Sequence, residues 1–336
     1  MTLRRRSLAA CLSPWLALPF ALRPGAARAW TPRTSTDPGI VMPAPGRRPW
    51  ADQVPQIRVG IIGGENEADR LARFDGLRRM LEETFLVPVR LFPANDYAGV
   101  QQALAARQLE VAGLGPSLYA AAWMETGGAV APILTTVQQD GSTSYVSVMV
   151  VRADSGITSL EQMRGRSLAW ADPNSASGFL IPRFELRREG VGVEPGQFFG
   201  RTGFAGGHEQ GVVAMLQRQY DAMVTWASGI GEQAEGFSRG NLRAMVDKGM
   251  LRMSDVRIIW RSRPIQNGPT VVRTDLPAAF REDLTRFYLA LPRANPAVYE
   301  QIARGSGAGF REVRHEDYAV FVEMRQEEAA ARRRRS

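Results

Sequence analysis

Residues 171–182 read Ala-Asp-Pro-Asn-Ser-Ala-Ser-Gly-Phe-Leu-Ile-Pro and follow the strand-like run 167–171. Asp172-Pro173 indicates a turn, because proline disfavours the helical region for the residue before it. Ser175 is then a suitable helix N-cap before an apolar segment. The stretch therefore predicts a strand, a turn and a helix N-terminus. Such an N-terminus offers free N–H groups, hydroxyl donors and the positive dipole end to an anion, although an ordinary capped helix has the same pattern.

Strand and helix patterns alternate on both sides of this stretch. Residues 57–62 form a nearly continuous apolar run that ends at Gly63-Gly64, as in a buried parallel strand. Further strand-like runs cover 87–92, 109–114, 145–152, 220–225, 256–260 and 270–273, and helical patterns cover 71–85, the segment opening at Tyr97, 178–188, 208–219 and the chain from Pro277 onward. This alternation predicts an α/β protein with parallel sheets.

About 300 residues exceed what one core usually holds, so we expect two lobes. The β-rich runs near 146–152 and 258–272 are the candidates for carrying the chain to the second lobe and back. The predicted lobes are residues 57–149 plus 267–330, and residues 150–266. Ligands of open α/β sheets bind beyond the carboxyl ends of the strands, which places the expected site in the cleft between the lobes.

Residues 1–29 have the features of an export signal, namely Arg4-Arg5-Arg6, an apolar run over 8–22 and a small-x-small sequence at 27–29. The apolar run is too short and too interrupted by prolines to span a bilayer. Arg5-Arg6-Ser7-Leu8 also resembles a twin-arginine signal. Cys11, the only cysteine, lies in a lipoprotein-like box, but almost no apolar segment precedes it, which argues against lipid anchoring there.

The segments that flank the expected folded body carry little pattern. Residues 30–56 are rich in Pro, Gly, Arg and Thr without apolar periodicity, and we expect a flexible arm there. Residues 331–336 read as a basic, solvated tail. The net charge is +8, but residues 1–29 and 332–335 hold nine arginines and no acid, which leaves −1 for 30–331. This near-neutral body excludes an extended basic face for nucleic acid.

Several motifs in order carry a resemblance to a known family. They are Asn95-Asp-Tyr-Ala-Gly99, Asp140-Gly-Ser-Thr-Ser-Tyr145, Asp172-Pro-Asn-Ser-Ala-Ser-Gly178, Gly206-Gly-His-Glu209, Ile259-Trp-Arg-Ser262 and Gly268-Pro269. Over roughly residues 57–325 the chain resembles the periplasmic substrate-binding proteins of phosphonate, phosphite and phosphate ABC transporters. The resemblance implies the type II periplasmic binding fold, in which two α/β lobes are joined by a two-strand hinge with the ligand cleft between them.

The resemblance also implies a function. The chain would be a periplasmic monomer that closes its lobes on a small phosphorus oxyanion and delivers it to an ABC permease and ATPase in the inner membrane. It would need no cofactor and no metal and would perform no chemistry. A sensory binding protein for the same ligands remains an alternative, and the sequence does not rank phosphate, phosphite and the phosphonates.

The family's oxyanion contacts fall on matching positions of this chain. Tyr97 and Tyr145 would donate phenolic O–H groups from the first lobe, Ser175 and Ser177 would donate hydroxyls, and the amides of 175–177 would point at the anion. Ala176 stands where the family usually has threonine, which removes one hydroxyl but no N–H group. The ring N–H of His208 would contribute as well. Both tyrosines are also compatible with packing roles, and His208 with a helix cap.

Four further positions bear on the site and its selectivity. Ser117 follows Gly115-Pro116, where a second helix N-terminus would donate, unless it is only an N-cap. Trp226 is a candidate wall of the cleft. Relatives that bind aminoalkylphosphonates have two carboxylates at places that align with Ser228 and Gly268, so this chain would prefer ligands without an amine unless Glu209 or Glu232 substitutes. A buried ammonium without a partner is strongly disfavoured.

A periplasmic hydrolase is the rival from another class, with Ser175 or Ser177 as nucleophile and His208 as base. No nucleophile-elbow motif is present, and no spacing of Asp or Glu with histidine indicates a triad. A usual zinc site is also disfavoured, because the chain has only two histidines and its one cysteine precedes the expected cleavage site.

Overall fold

A computed structural model describes residues 30–333 of the 336-residue chain. The chain divides into two units between Thr31 and Pro32. Of the first unit only residues 30 and 31 are described, without regular secondary structure, and everything below concerns the second. The predicted export signal, with Cys11, and residues 334–336 of the predicted basic tail lie outside the described residues.

The second unit alternates strands and helices over most of its length. Its strands are β1 (Ile57–Ile61), β2 (Val89–Pro93), β3 (Val111–Gly113), β4 (Val130–Val137), β5 (Ser144–Arg152), β6 (Ser167–Trp170), β7 (Arg201–Phe204), β8 (Ala222–Ala227), β9 (Val256–Arg261), β10 (Ile265–Gln266), β11 (Pro269–Arg273) and β12 (Gly309–Glu312). Its α-helices are α1 (Glu67–Phe85), α2 (Tyr97–Ala105), α3 (Pro116–Glu125), α4 (Ile181–Arg188), α5 (His208–Leu216), α6 (Asn241–Asp247), α7 (Ala278–Ala294), α8 (Pro296–Ala303) and α9 (Ala319–Arg333).

The strands form two mixed sheets. The first has the order β12-β4-β11-β3-β1-β2, with β1 parallel to both β2 and β3. The second has the order β10-β5-β8-β6-β7, with β9 also paired to β5 and with β6 parallel to β7 and β8. We call the first sheet with α1, α2, α3, α7 and α8 the first lobe, and the second sheet with α4, α5 and α6 the second lobe. Four of the five residues of β1 are buried, which explains its nearly continuous apolar sequence.

The chain crosses between the sheets twice, at residues 138–143 and at 267–268. The crossings lie side by side, since the Asn267 amide donates to the Thr143 carbonyl at 2.7 Å. All of β5 belongs to the second sheet, so the boundary predicted between 149 and 150 falls inside a continuous strand. Tyr145 accordingly comes from the second sheet rather than the first lobe. The apolar sequence of a strand does not indicate which sheet the strand joins.

Residues 34–54 contradict the prediction of a flexible arm. Trp50 is 2% exposed and packs edge-on against Phe85 and Phe280, with ring centroids 5.5 and 4.9 Å apart. Its indole N–H donates to the Asp283 carboxylate at 2.8 Å, and Thr34 bridges to Arg311 at the end of the first sheet. The segment is thus docked on the first lobe. It is held by isolated anchor residues, which produce no periodicity in the sequence.

Other differences from the sequence-based expectation concern short elements. The strands β4, β7 and β12 were not predicted, and β12 interrupts the C-terminal region that was expected to be helical. A four-residue strand such as β12 is too short to show an alternating pattern. Helix α9 continues to Arg333, into the predicted basic tail. Within residues 30–333 no helix combines the length and the apolar character needed to cross a membrane.

Candidate functional site

A cavity of about 270 Å³ lies between the two lobes. Both lobes contribute to its wall, the first through the segments after β1 and β3 and the second through the turn after β6 and the start of α5. The predicted site residues on its lining are Tyr97, Tyr145, Ser175, Ala176, Ser177, His208, Trp226 and Gly268. Residues that are far apart in the sequence therefore meet at one cavity.

The anion cradle predicted at residues 175–178 is built as a π-helical turn, Ala176–Leu180, rather than as the start of an ordinary helix. Pro182 has no N–H group for the Gly178 carbonyl, which instead accepts from the Ala171 amide at 3.0 Å. The Ser175 hydroxyl caps the turn by accepting from the Gly178 amide at 3.0 Å. The amides of Ala176 and Ser177 precede the first intrahelical bonds and remain available to a ligand.

Gly178 is required by this packing. A Cβ at this position would lie 2.3 Å from the Ala171 Cβ and 3.0 Å from the His208 ring. Ala171 directly follows β6, and His208 is the first residue of α5. The glycine therefore lets the turn approach both elements closely.

His208 is held between two hydroxyls. Its Nε2 lies 3.1 Å from the Ser175 Oγ and its Nδ1 lies 3.2 Å from the Thr225 Oγ1. Burial, reinforced by the positive charge of Arg304, lowers the pKa of His208 to about 3, so the ring is neutral at pH 7. If Thr225 donates to Nδ1, then Nε2–H donates to Ser175, and the Ser175 O–H is left to donate to Tyr97 or to an anion. The ring N–H predicted to reach the anion would then act through Ser175.

Tyr97 and Tyr145 are both 8% exposed and close the same cavity. Burial raises the pKa of Tyr97 to about 12, and a hydrogen bond with Ser175 opposes the rise. Burial likewise raises the pKa of Tyr145, against a hydrogen bond with Ser177. Both phenols consequently keep their protons at neutral pH and serve as O–H donors beside the two serines.

Two predicted positions lie outside the cavity lining. Ser117 is fully buried, and its hydroxyl accepts from the Arg325 Nε at 3.0 Å, a contact that the sequence did not reveal. The Ser228 hydroxyl donates to the Ile230 carbonyl at 3.1 Å. Ser117 is therefore engaged by a residue that is distant in the sequence and does not reach the cavity lining. For Ser228 the resemblance implied only that a carboxylate is missing, and its hydroxyl bonds to a residue two positions further along the chain.

Gly268 lines the cavity but leaves no room for a side chain. A Cβ there would lie 1.9 Å from the Leu114 carbonyl oxygen. A carboxylate at this position would require the backbone to move. The position that the resemblance aligned with a carboxylate of amine-binding relatives is thus closed to one in this chain.

The lining has an excess of positive charge that the sequence did not indicate. Among the described residues on the wall, Arg73, Arg239 and Arg304 are cationic, and there is no Asp or Glu. Behind the wall Glu65 pairs with Arg73 and, at 2.6 Å, with Arg304. Burial opposes the ionisation of Glu65, but Arg304, Arg73 and Lys248 overcome it and lower the Glu65 pKa to about 2. No motif marks these arginines in an arginine-rich chain.

The lobes touch beside the cavity. A Cβ on Gly207 of the second lobe would lie 2.3 Å from the Gly64 Cα of the first. Lys248, next to α6, lies 2.8 Å from the Asp69 carboxylate of the first lobe and 2.9 Å from Glu209 of its own lobe. The two lobes are therefore in direct contact at both backbone and side-chain level.

The arrangement of Ser175 and His208 does not suit a hydrolase. The Nδ1 atom of His208 faces the Thr225 hydroxyl, whereas a triad needs a carboxylate in that place. A histidine with a pKa of about 3 is also a weak general base at neutral pH. The described residues contain no cluster of His, Cys, Asp and Glu that would hold a metal ion.

Comparison with known proteins adds independent evidence. The sequence profile of a family described as the phosphonate ABC transporter periplasmic substrate-binding protein matches residues 59–318. The phosphate-import protein PhnD of Mycolicibacterium smegmatis is 31% identical over 61% of this chain. The phosphonates-binding periplasmic protein of Escherichia coli is 26% identical over 71% of this chain and 67% of its own length. The match spans 62% of the first relative, less than two thirds of its length.

A solved structure supports the fold. The structure of PhnD1 from Prochlorococcus marinus in complex with methylphosphonate superposes with a TM-score of 0.67 at 18% identity, covering 81% of this chain and 98% of that one. At this identity the likeness concerns the fold alone. The predicted type II periplasmic binding fold, with two α/β lobes, is confirmed.

Proposed function

The chain belongs to the family of periplasmic substrate-binding proteins of phosphonate ABC transporters, and on that basis we propose that it captures a phosphorus oxyanion for import. The ligand, a phosphonate, phosphite or phosphate, would be enclosed by closure of the two lobes and passed to an ABC permease and its ATPase. The family consists of binding proteins rather than enzymes. The named relatives bind or import phosphate and phosphonates, which supports this ligand class.

The observation that carries the proposal is the cradle around Ser175 and Ser177. Two buried phenols, two hydroxyls and the first amides of a helical turn meet at one cavity whose described lining has no carboxylate. A tetrahedral oxyanion needs many donors that converge without an opposing negative charge. Since His208 is neutral, the charge of the ligand is met by hydrogen bonds and by the arginines of the lining.

The size of such a ligand limits the affinity. At about −1.5 kcal/mol per non-hydrogen atom, a five-atom oxyanion gains roughly 7–8 kcal/mol, which corresponds to a micromolar dissociation constant. Nearly all donors must then be preorganised. The contacts that fix Ser175, namely those to His208 and to the Gly178 amide, supply this preorganisation.

The cavity favours ligands without an amine. Ser228 lies outside the cavity lining and its hydroxyl bonds to Ile230 and Ser238, and Gly268 has no space for a side chain. An ammonium would also face the arginines of the lining. We expect phosphate, phosphite or methylphosphonate to bind at least tenfold more tightly than 2-aminoethylphosphonate, a difference of about 1.4 kcal/mol.

Isothermal titration of the purified protein with these four ligands tests the proposal. Heat of binding for at least one of them, with 2-aminoethylphosphonate the weakest, is the expected result. Absence of binding to all four would refute the capture of these small phosphorus oxyanions. A stronger signal from the aminated ligand would mean that Glu209 or Glu232 supplies the missing carboxylate.

Three further proposals concern the whole protein. We propose that residues 1–29 direct export, that Cys11 is not lipidated and that the exported chain is a monomer. The family's periplasmic location supports export. Sizing of the exported protein and mass analysis of its N-terminus would test all three.

A further inference from the structure

Arg239 is a buried cation on the cavity wall to which none of the family motifs assigns a role. It is 5% exposed and lies just before α6 in the second lobe. The next residue, Gly240, bridges to Ala227 of β8, and the Arg239 carbonyl accepts from the Ser228 amide at 2.8 Å. The backbone at Arg239 is therefore anchored beside the end of β8, next to Trp226.

The guanidinium of Arg239 has only neutral partners within residues 30–333. Its Nη1 donates to the Thr136 hydroxyl and to the Gln138 amide oxygen, both at 3.3 Å, and its Nε has no partner. No carboxylate in this part of the chain lies within ion-pair distance of it. Burial lowers the pKa of Arg239, which reflects the cost of an unbalanced charge. Buried charges in proteins are normally paired, so a negative group is missing here.

The position of Arg239 relative to the anion cradle follows from Trp226. The Trp226 ring packs edge-on against Tyr145, with centroids 5.8 Å apart. Tyr145 in turn lies beside Ser177 of the cradle. On the same strand, Ala227 is bridged to Gly240, beside Arg239. A ligand that starts in the cradle and runs along Trp226 would therefore reach Arg239.

The cavity is also larger than a five-atom oxyanion requires. Its volume of about 270 Å³ lies just below the range of about 300–1,000 Å³ for pockets that hold drug-sized ligands. Part of the wall is apolar and comes from the first lobe, with Phe74, Leu77, Tyr288, Ile302 and Phe310. Space remains for an organic substituent beyond the phosphorus group.

We propose that the ligand is a phosphonate whose substituent ends in a carboxylate, with the phosphonate in the cradle and the carboxylate paired with Arg239. This inference rests on the proposed function, because it needs the oxyanion to occupy the cradle. A guanidinium offers two parallel N–H groups, which match the two oxygens of a carboxylate. The described lining has no Asp or Glu that would repel the second negative charge.

Paired ligands test the inference in the wild-type protein. Phosphonoacetate carries the terminal carboxylate. In 2-oxopropylphosphonate, which has nearly the same shape, an uncharged methyl ketone replaces that carboxylate. We expect titration calorimetry to give phosphonoacetate at least tenfold tighter binding than 2-oxopropylphosphonate. Equal binding of the two, while methylphosphonate still binds, would overturn the inference and leave the proposed function intact. Absence of binding to all three and to phosphate would overturn both.

Variants test whether Arg239 causes the preference for phosphonoacetate over 2-oxopropylphosphonate. Arg239→Gln should reduce the preference for phosphonoacetate to less than threefold and change methylphosphonate binding by less than threefold. Arg243→Gln is the matched control, because Arg243 lies on α6 outside the lining and pairs with Asp247 at 2.9 Å, and it should keep the preference. Equal weakening of both ligands in Arg239→Gln would show that Arg239 binds the phosphorus group itself, which would overturn the assignment. If Arg239→Gln does not fold, the inference is tested with Arg239→Lys and with the comparison of phosphonoacetate and 2-oxopropylphosphonate in the wild-type protein.

Discussion

At the residue scale, the site depends on hydroxyls whose orientation is fixed by their neighbours. Ser175 is held by His208 and by the Gly178 amide, and Ser177 lies beside Tyr145. None of these side chains carries a charge at neutral pH. Removal of a single donor should therefore weaken ligand binding without a large effect on the charge of the site.

We expect Ser177→Ala to weaken binding of methylphosphonate or phosphate by about 1.5–3 kcal/mol, the value of a hydrogen bond to a charged group. Titration calorimetry measures this as a change in the dissociation constant. Ser228→Ala is the matched control, since Ser228 is equally buried but outside the lining. If the two variants bind equally well, Ser177 does not contact the ligand.

His208 predicts a pH dependence of stability. Its pKa of about 3 in the folded protein lies below the value of about 6.5 in the unfolded chain, so between these values the unfolded chain binds one more proton. The free energy of unfolding should fall as the pH drops from 6.5 towards 3, by up to about 1.4 kcal/mol per pH unit.

Denaturant titrations at pH 7, 6 and 5 would measure this slope, because most carboxyl groups do not yet titrate there. His208→Gln should remove it, while His315→Gln should keep it. An unchanged slope in His208→Gln would contradict a buried neutral imidazole.

At the element scale, the π-helical turn between β6 and α4 is the feature that sets the cradle. It arises because Pro182 cannot donate and because Gly178 allows the turn to contact Ala171 and His208. Helix α9 holds the same turn from the other side, since Arg325 bridges Ser117 of α3 and Asn174 at 3.0 Å each. Arg325 of α9 thus links the turn of the second lobe to α3 of the first lobe.

Gly178→Ala should disrupt this element. Its Cβ would overlap the Ala171 Cβ, and overpacking of this kind costs typically about 1–3 kcal/mol. We expect a lower free energy of unfolding and at least tenfold weaker ligand binding, measured by denaturant and calorimetric titration. Gly39→Ala, where a Cβ has open space, is the control and should change neither quantity. Wild-type affinity in Gly178→Ala would refute the role of the close approach.

At the scale of the whole molecule, ligand binding is expected to couple to contacts between the lobes. Lys248, the only lysine of the chain, pairs with Asp69 across the lobes and with Glu209 within its own lobe. The pair with Asp69 can form only when the lobes are together. Ligand affinity should therefore depend on it, because the ligand binds best to the state in which both lobes contact it.

We expect Asp69→Asn to weaken ligand binding by about 2- to 5-fold, since a partly exposed ion pair contributes about 0.3–1 kcal/mol. The effect should shrink at 0.5 M salt because of screening. Glu67→Gln makes the same charge change on the first turn of α1 without removing an ion pair with Lys248, and should have no effect. Equal effects of both variants would indicate long-range electrostatics rather than contact between the lobes.

The amino-acid pattern was sufficient to predict the class of fold and the helix N-terminus at which we propose that the anion binds. Strands buried on both faces, such as β1, need apolar residues throughout, and helix termini need caps, so these requirements are visible locally in residues 57–62 and 171–182. For Tyr97, Ser175, Ser177 and His208 a ligand role was implied by the family resemblance of their motifs and not by any local requirement of the chain.

The other groups on the cavity wall come together only in the folded chain. Arg239, Arg304 and Thr136 reach it from separate elements. Ser117 is instead engaged by Arg325, which is distant in the sequence. The docking of Trp50 on Phe280 and the place of β5 in the second sheet belong here as well. These features could not be predicted from the sequence, because the burial, pairing and charge balance of a side chain depend on neighbours that only the fold brings together.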